Sequence, residues 1–149
     1  MSRVSARDKL LRAAGELFYD HGITATGVDA VITRAGVAKM SLYNNFKSKS
    51  ELIAAYIDAR HQEWLDLFAR RSDNLSNSWE RVLAVFDAYQ DHAEFDYENG
   101  FRGCGLLNAA AEMPANSPER EAVNRHKQEV REIVINQLSE LPLTEESGN

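Results

Sequence analysis

The chain has a single cysteine, Cys104, in 149 residues. That excludes an internal disulfide framework and any cysteine-built zinc cluster, and it fits a reducing compartment. Three prolines and eight glycines leave no collagenous or low-complexity stretch, so most of the chain is expected to fold. No apolar run approaches the length of a membrane span. The N-terminus, with Arg3, Arg7, Asp8 and Lys9, has no apolar core of the signal-peptide kind behind it. His21, His61, His92 and His126 lack the close His/carboxylate spacing of a metal site, and no metal or other cofactor is expected. Cys104 lies in a glycine-rich segment with no sign of a base oriented by a third group, so the chain does not read as an enzyme.

The net charge of -6 is unevenly spread. Residues 1–50 carry eight Lys/Arg against four acids, and the remainder carries nine against nineteen. A basic head on an acidic body suits a protein that touches nucleic-acid phosphates with one end only.

Helix-forming residues dominate, with Ala, Leu and Glu far outnumbering Val, Ile and Thr, which predicts an all-α fold. Leu10, Leu11, Ala14, Leu17 and Phe18 mark an amphipathic helix over Ala6–Asp20, closed by Gly22. Thr26 is the expected cap of a short second helix that Gly36 stops, with Val28, Val31 and Ile32 inward. A third short helix over Lys39–Phe46 turns Leu42 and Phe46 inward. Ser48 and Glu51 form a capping box opening a long fourth helix with Leu52, Ile53, Tyr56, Ile57, Trp64, Leu65 and Phe68 on its inner row.

Past a polar break at Ser72–Ser78, Trp79, Val82, Leu83, Phe86 and Tyr89 recur at helical spacing in a fifth helix running to about Phe95. Leu106–Met113 forms a sixth, ended by Pro114. Ser117, Pro118 and Glu119 open a seventh, whose inner face runs from Ala122 to Leu141 and includes His126. Thr144–Asn149 read as a frayed end.

Two short helices joined by Ala35-Gly36-Val37 have the layout of a helix-turn-helix. The run from Val28 to Leu52, ending in Leu42-Tyr43-Asn44-Asn45-Phe46-Lys47-Ser48-Lys49-Ser50-Glu51-Leu52, closely resembles the DNA-binding signature of the TetR family of bacterial transcriptional regulators. The match extends upstream through Ala13-Ala14, Leu17-Phe18 and Gly22 to cover roughly residues 7–57. A second stretch, Gly103 to Pro114, is similar to a segment of one TetR subfamily.

The resemblance implies a three-helix, helix-turn-helix DNA-binding domain over 1–50 and a helical ligand-sensing and dimerisation domain over 51–149. It implies that Lys39, Met40 and Asn44 meet base edges in the major groove, where Lys donates to guanine, Asn pairs with adenine and Met offers apolar contact. Ser41, Tyr43, Asn45 and Lys49 would contact phosphates, with Thr33 at the groove edge. It further implies a small-molecule pocket in the body, for which Trp64, Phe68, Phe86, Tyr89, Phe101, Cys104, Leu107, Asn108 and His126 are the candidate lining. The function so implied is a cytoplasmic, homodimeric repressor released from double-stranded operator DNA by an effector. Ala38 and Gly27 depart from the hydroxyl residues common at these places. On this resemblance the chain is expected to lack the two last helices of the usual sensor domain. The alternatives are a shortened helical interaction module and a redox sensor acting through Cys104.

Overall fold

The computed structural model describes residues 3–95 and 97–142, and every described element is helical. Seven helices follow in order: α1 (Ala6–His21), α2 (Val28–Ala35), α3 (Lys39–Asn45), α4 (Lys49–Ser72), α5 (Ser78–Ala93), α6 (Gly105–Glu112) and α7 (Pro118–Ser139). The frayed end expected over Thr144–Asn149 lies outside the described residues.

Local chemistry sets most of the boundaries. The hydroxyls of Ser5, Ser48 and Ser117 accept the amides of Asp8, Glu51 and Arg120 at the starts of α1, α4 and α7. Asn77 does the same for α5 through Trp79 and Glu80. The box at α4 is shifted by one residue. The Glu51 carboxylate accepts the amide of Lys47, 2.6 Å away, one position before the cap.

α2 departs from expectation: its cap is Gly27, which contributes no side-chain bond, while Thr26 is buried. The Thr26 hydroxyl donates instead to the carbonyl of Gly22 at 2.7 Å, closing the end of α1 rather than opening α2. Gly36 stops α2 in a left-handed conformation (φ 66°), its amide reaching Ile32 O at 3.0 Å, and a residue with a Cβ would be strained there.

Two cores hold the helices together. The first gathers Leu10, Ala14 and Phe18 of α1, Val31 of α2, Leu42 of α3 and Phe46 with Leu52, Tyr56 and Ile57 of α4. Leu106 and Ala109 of α6 and Val123 of α7 complete it, so the base of the body is continuous with the head. The second core joins Trp64, Val85, Ala88 and Val130 of α4, α5 and α7, with Phe68, Tyr89, Ile133 and Val134 around them.

The inward face of α5 is Val82, Ala84, Val85 and Ala88. Trp79, Leu83 and Phe86, expected on the apolar row, point outward and are exposed, as are Ile135 and Leu138 of α7. Small residues let α5 lie close against α4 and α7, which turns its larger side chains away from the core.

Candidate nucleic-acid interface

α3 is held from behind. Leu42 is fully buried and Phe46 nearly so, while the Arg7 guanidinium lies over the Phe46 ring, 5.3 Å from its centre. The opposite side of this short helix is open. Met40 is 70% exposed, an uncommon state for so apolar a side chain, and Lys39, Tyr43, Asn44 and Asn45 are exposed around it. Thr33, across the turn on α2, is also exposed, and Ser41 is half-buried. Some of this polar surface is already engaged. Lys39 Nζ lies 3.4 Å from Asp29 Oδ1, and the Asn45 amide donates to Ser41 O at 2.7 Å. α3 has no side-chain cap at Ala38, which leaves its first amides without a protein side-chain acceptor.

Lys49 is half-buried at the start of α4, where its ammonium donates to Ile23 O at 2.8 Å. That carbonyl belongs to the α1–α2 turn, which α6 grips from the other side. Glu112 accepts the amides of Ile23 (2.7 Å) and Thr24 (3.0 Å). Burial opposes ionisation of Glu112, but the two amides and nearby Lys49 outweigh it and hold its carboxyl below the usual range. Gly22 (φ 86°) makes the approach possible, since a Cβ there would sit 3.0 Å from the Glu112 carboxylate. The head is tied to the body at further points. Ser50 bonds Glu119, Arg34 bridges Glu16 and Glu98, and the Tyr19 hydroxyl donates to Gly103 O.

The nine residues expected to line a ligand pocket do not come together as one set. Trp64, Phe68, Tyr89 and His126 do: Trp64 stacks on Phe68 at 5.5 Å and meets Tyr89 and His126 at 5.3 and 5.9 Å. Phe86, Phe101 and Leu107 are exposed. Asn108 is exposed and donates to Arg102 O at 2.8 Å, and half-buried Cys104 occupies the cap position of α6. The aromatic cluster contains two buried polar atoms without a hydrogen-bonding partner, Trp64 Nε1 and His126 Nε2.

His126 is sealed between α4 and α7, its Nδ1 against Nδ1 of His61, whose Nε2 lies 2.6 Å from Glu129. With Glu129 accepting from His61 Nε2, His61 Nδ1 is left as the acceptor for an Nδ1–H of His126. Burial, with His61, Lys127 and His92 nearby, pushes His126 down to about 4. Its neutral form therefore belongs to the folded state, whereas an unfolded histidine titrates near 6.5. The unfolded chain binds the extra proton first, so stability present above pH 6.5 is lost as pH falls toward 4. Urea midpoints at pH 7 and pH 5 are expected to differ in that sense, and His126→Gln to flatten the difference. A midpoint that rises on acidification would contradict this account.

Glu112, Tyr19 and Glu98 carry no role in the sequence reading, and Glu119 figures there only as a first-turn acid of α7. Their partners are 64 to 89 residues away, and no helical period carries such pairs.

A tight helix-turn-helix whose second helix has an open outer face, set on a helical body, defines the class of this chain. Residues 10–56 match the family described as bacterial regulatory proteins, tetR family. The fold is similar to that of a TetR-family transcriptional regulator from Streptomyces coelicolor, with a TM-score of 0.80 and 33% identity over 90% of this chain and 70% of that one. The chain belongs to the TetR family. Among curated relatives, it is 37% identical to the HTH-type transcriptional activator FasR of Mycolicibacterium smegmatis over 68% of its length. It is 27% identical to the HTH-type transcriptional repressor KstR2 of the same organism over 91%. These matches span 46% and 64% of the relatives' own lengths. The family is one of transcriptional regulators, not enzymes. Among the described residues no helix is long and apolar enough to cross a membrane, and no group of His, Cys, Asp and Glu is placed to hold a metal.

Proposed function

We propose that the chain is a cytoplasmic, DNA-binding transcriptional repressor that acts as a homodimer and is released by a small effector. The observation that carries this reading is the outer side of α3, where exposed Met40 and its polar neighbours stand clear of a helix anchored by Leu42 and Phe46. In this reading α3 enters the major groove. Lys39, Met40 and Asn44 read base edges, and Ser41, Tyr43, Asn45 and Lys49 hold phosphates, with Thr33 at the groove edge. FasR is named an activator and KstR2 a repressor. The repressor sense follows the relative that matches over more of this chain.

The effector site of this reading centres on Trp64, Phe68, Tyr89 and His126, where the unpartnered Trp64 N–H and His126 Nε2 await a ligand's acceptor and donor. In this reading the effector enters by displacing side chains. Their movement tilts α4, whose first turn abuts α3 and whose Lys49 and Ser50 reach the α1–α2 turn and α7. Two heads spaced for successive major grooves, about 34–36 Å apart, then lose register. Exposed Trp79, Leu83 and Phe86 of α5 and Ile135 and Leu138 of α7 supply apolar surface for pairing.

The test is binding to duplex DNA enriched from a random pool, measured over a salt series against scrambled duplex. Specific binding is expected. Asn44→Ala should cost about 1–3 kcal/mol at its base and relax the preference there, while Lys49→Ala should reduce the salt slope by about one. Equal, weak binding to enriched and scrambled DNA would sink the reading.

A further inference from the structure

Between α1, α4 and the segment joining α5 to α6 lies a cavity of about 340 Å³ that shares no residue with the aromatic cluster around Trp64. It falls within the size range of small-molecule sites, about 300–1,000 Å³. Much of its wall is aromatic. Tyr19 and Tyr97 stack with centroids 4.5 Å apart, Tyr56 is buried beside them, and Phe95 is 63% exposed.

The polar capacity still open in this cavity is mostly that of carboxylates, beside the Arg12 guanidinium and the Tyr56 hydroxyl. The Tyr19 hydroxyl donates to Gly103 O and accepts the amide of Arg102. The Tyr97 hydroxyl donates to His92 O and accepts from the Arg60 guanidinium. Arg60 gives another nitrogen to Glu63 at 2.9 Å, and its Nε, buried near Gly105, has no hydrogen-bonding partner. Apart from Arg60 Nε, these inner donors are engaged.

Acceptors remain. Glu16, Asp20, Glu63 and Glu98 line the cavity against two guanidiniums, Arg12 and Arg60. Arg34 bridges Glu16 and Glu98, Arg12 lies 3.5 Å from Glu16, His92 Nε2 lies 3.3 Å from Glu63, and Asp20 takes one bond from the Asn99 amide at 2.6 Å. A carboxylate has about four lone-pair sites, so each keeps spare capacity. Ring faces and an excess of carboxylate both favour a cation, and spare acceptors favour one that donates hydrogen bonds.

We propose that this cavity is a binding site for a flat aromatic cation carrying N–H donors, of the arylamidinium type. Its walls come from α1 of the head and from α4 and the α5–α6 segment of the body. A ligand seated there bridges the two, independently of any effector at Trp64.

Three probes of nearly the same shape test it: 2-naphthamidine, cationic at neutral pH, the neutral 2-naphthamide and the anionic 2-naphthoate. Calorimetry on the full chain without DNA should rank them in that order, with the amidine about fivefold tighter than the amide, as expected of one partly exposed ion pair. Ala59→Phe, which fills the cavity from α4, should abolish binding while helicity by circular dichroism is kept. Asp20→Asn should weaken the amidine about threefold and leave the amide unchanged, and it serves if Ala59→Phe does not fold. Nuclear Overhauser contacts from naphthyl protons should reach the Tyr19 and Tyr97 rings. No binding by any probe at millimolar concentration, equal binding of all three, tighter binding of naphthoate, or amidine binding that survives Ala59→Phe in a folded protein would each overturn the proposal. None of these outcomes bears on DNA recognition by α3.

Discussion

Leu42→Ala is expected to lower the free energy of unfolding by about 2–5 kcal/mol, the usual range for truncating a fully buried leucine. Leu42 has no exposed surface and belongs to the core that joins α1, α2 and α3 to the base of α4. α3 is only seven residues long and has no capping side chain, so it is not helical on its own account. Its helicity depends on this anchor and on Phe46. Urea unfolding followed by circular dichroism should show the midpoint shift, and DNA affinity should fall with it. Met40→Ala, on the open side of the same helix, should change stability by no more than about 0.5 kcal/mol while still weakening DNA binding. If Leu42→Ala unfolds like the native chain, α3 is not held as described, and the recognition face loses its physical basis.

The contrast between Leu42 and Met40 also shows what was legible in the sequence. Seven helices and their order follow from periodicity, and the caps at Ser48 and Ser117 and the stops at Gly22 and Gly36 from residue type, because those signals act within four residues. Leu42 and Phe46 read inward from spacing alone, and both are buried. Thr26 misled because a hydroxyl near a helix start can serve either neighbouring element, and here it closes α1. α5 misled for a different reason. Large apolar residues at helical spacing suggest a buried row, yet the close packing of α5 uses its alanines and valines and leaves Trp79, Leu83 and Phe86 outside.

The positions proposed to face DNA come from resemblance, and most of them are exposed on α3. The latch of Glu112 on Ile23 and Thr24 and the cavity beside Tyr19 were not legible. Each joins segments that meet only once the chain has folded.

Trp64→Ala is expected to cost about 3 kcal/mol, the lower end of the range for removing a buried tryptophan. The value sits low because the substitution also removes an indole N–H that has no partner in the core. What remains is a ring-sized hole beside Phe68, Tyr89 and His126. Indole should refill it. At ten times its dissociation constant indole should restore about 1.4 kcal/mol, read as a rise in the urea midpoint that the native chain does not show.

The same variant decides whether this core is coupled to the head. Trp64 lies on α4, the helix whose first turn holds the α1–α2 turn through Lys49. If occupancy near Trp64 sets the attitude of α4, indole must change the DNA affinity of Trp64→Ala, and DNA must change its affinity for indole by the same factor. Restored stability with unchanged DNA affinity would mean that the two cores are energetically independent. Effector control would then have to enter the head through contacts other than α4, such as the grip of Glu112 on the α1–α2 turn.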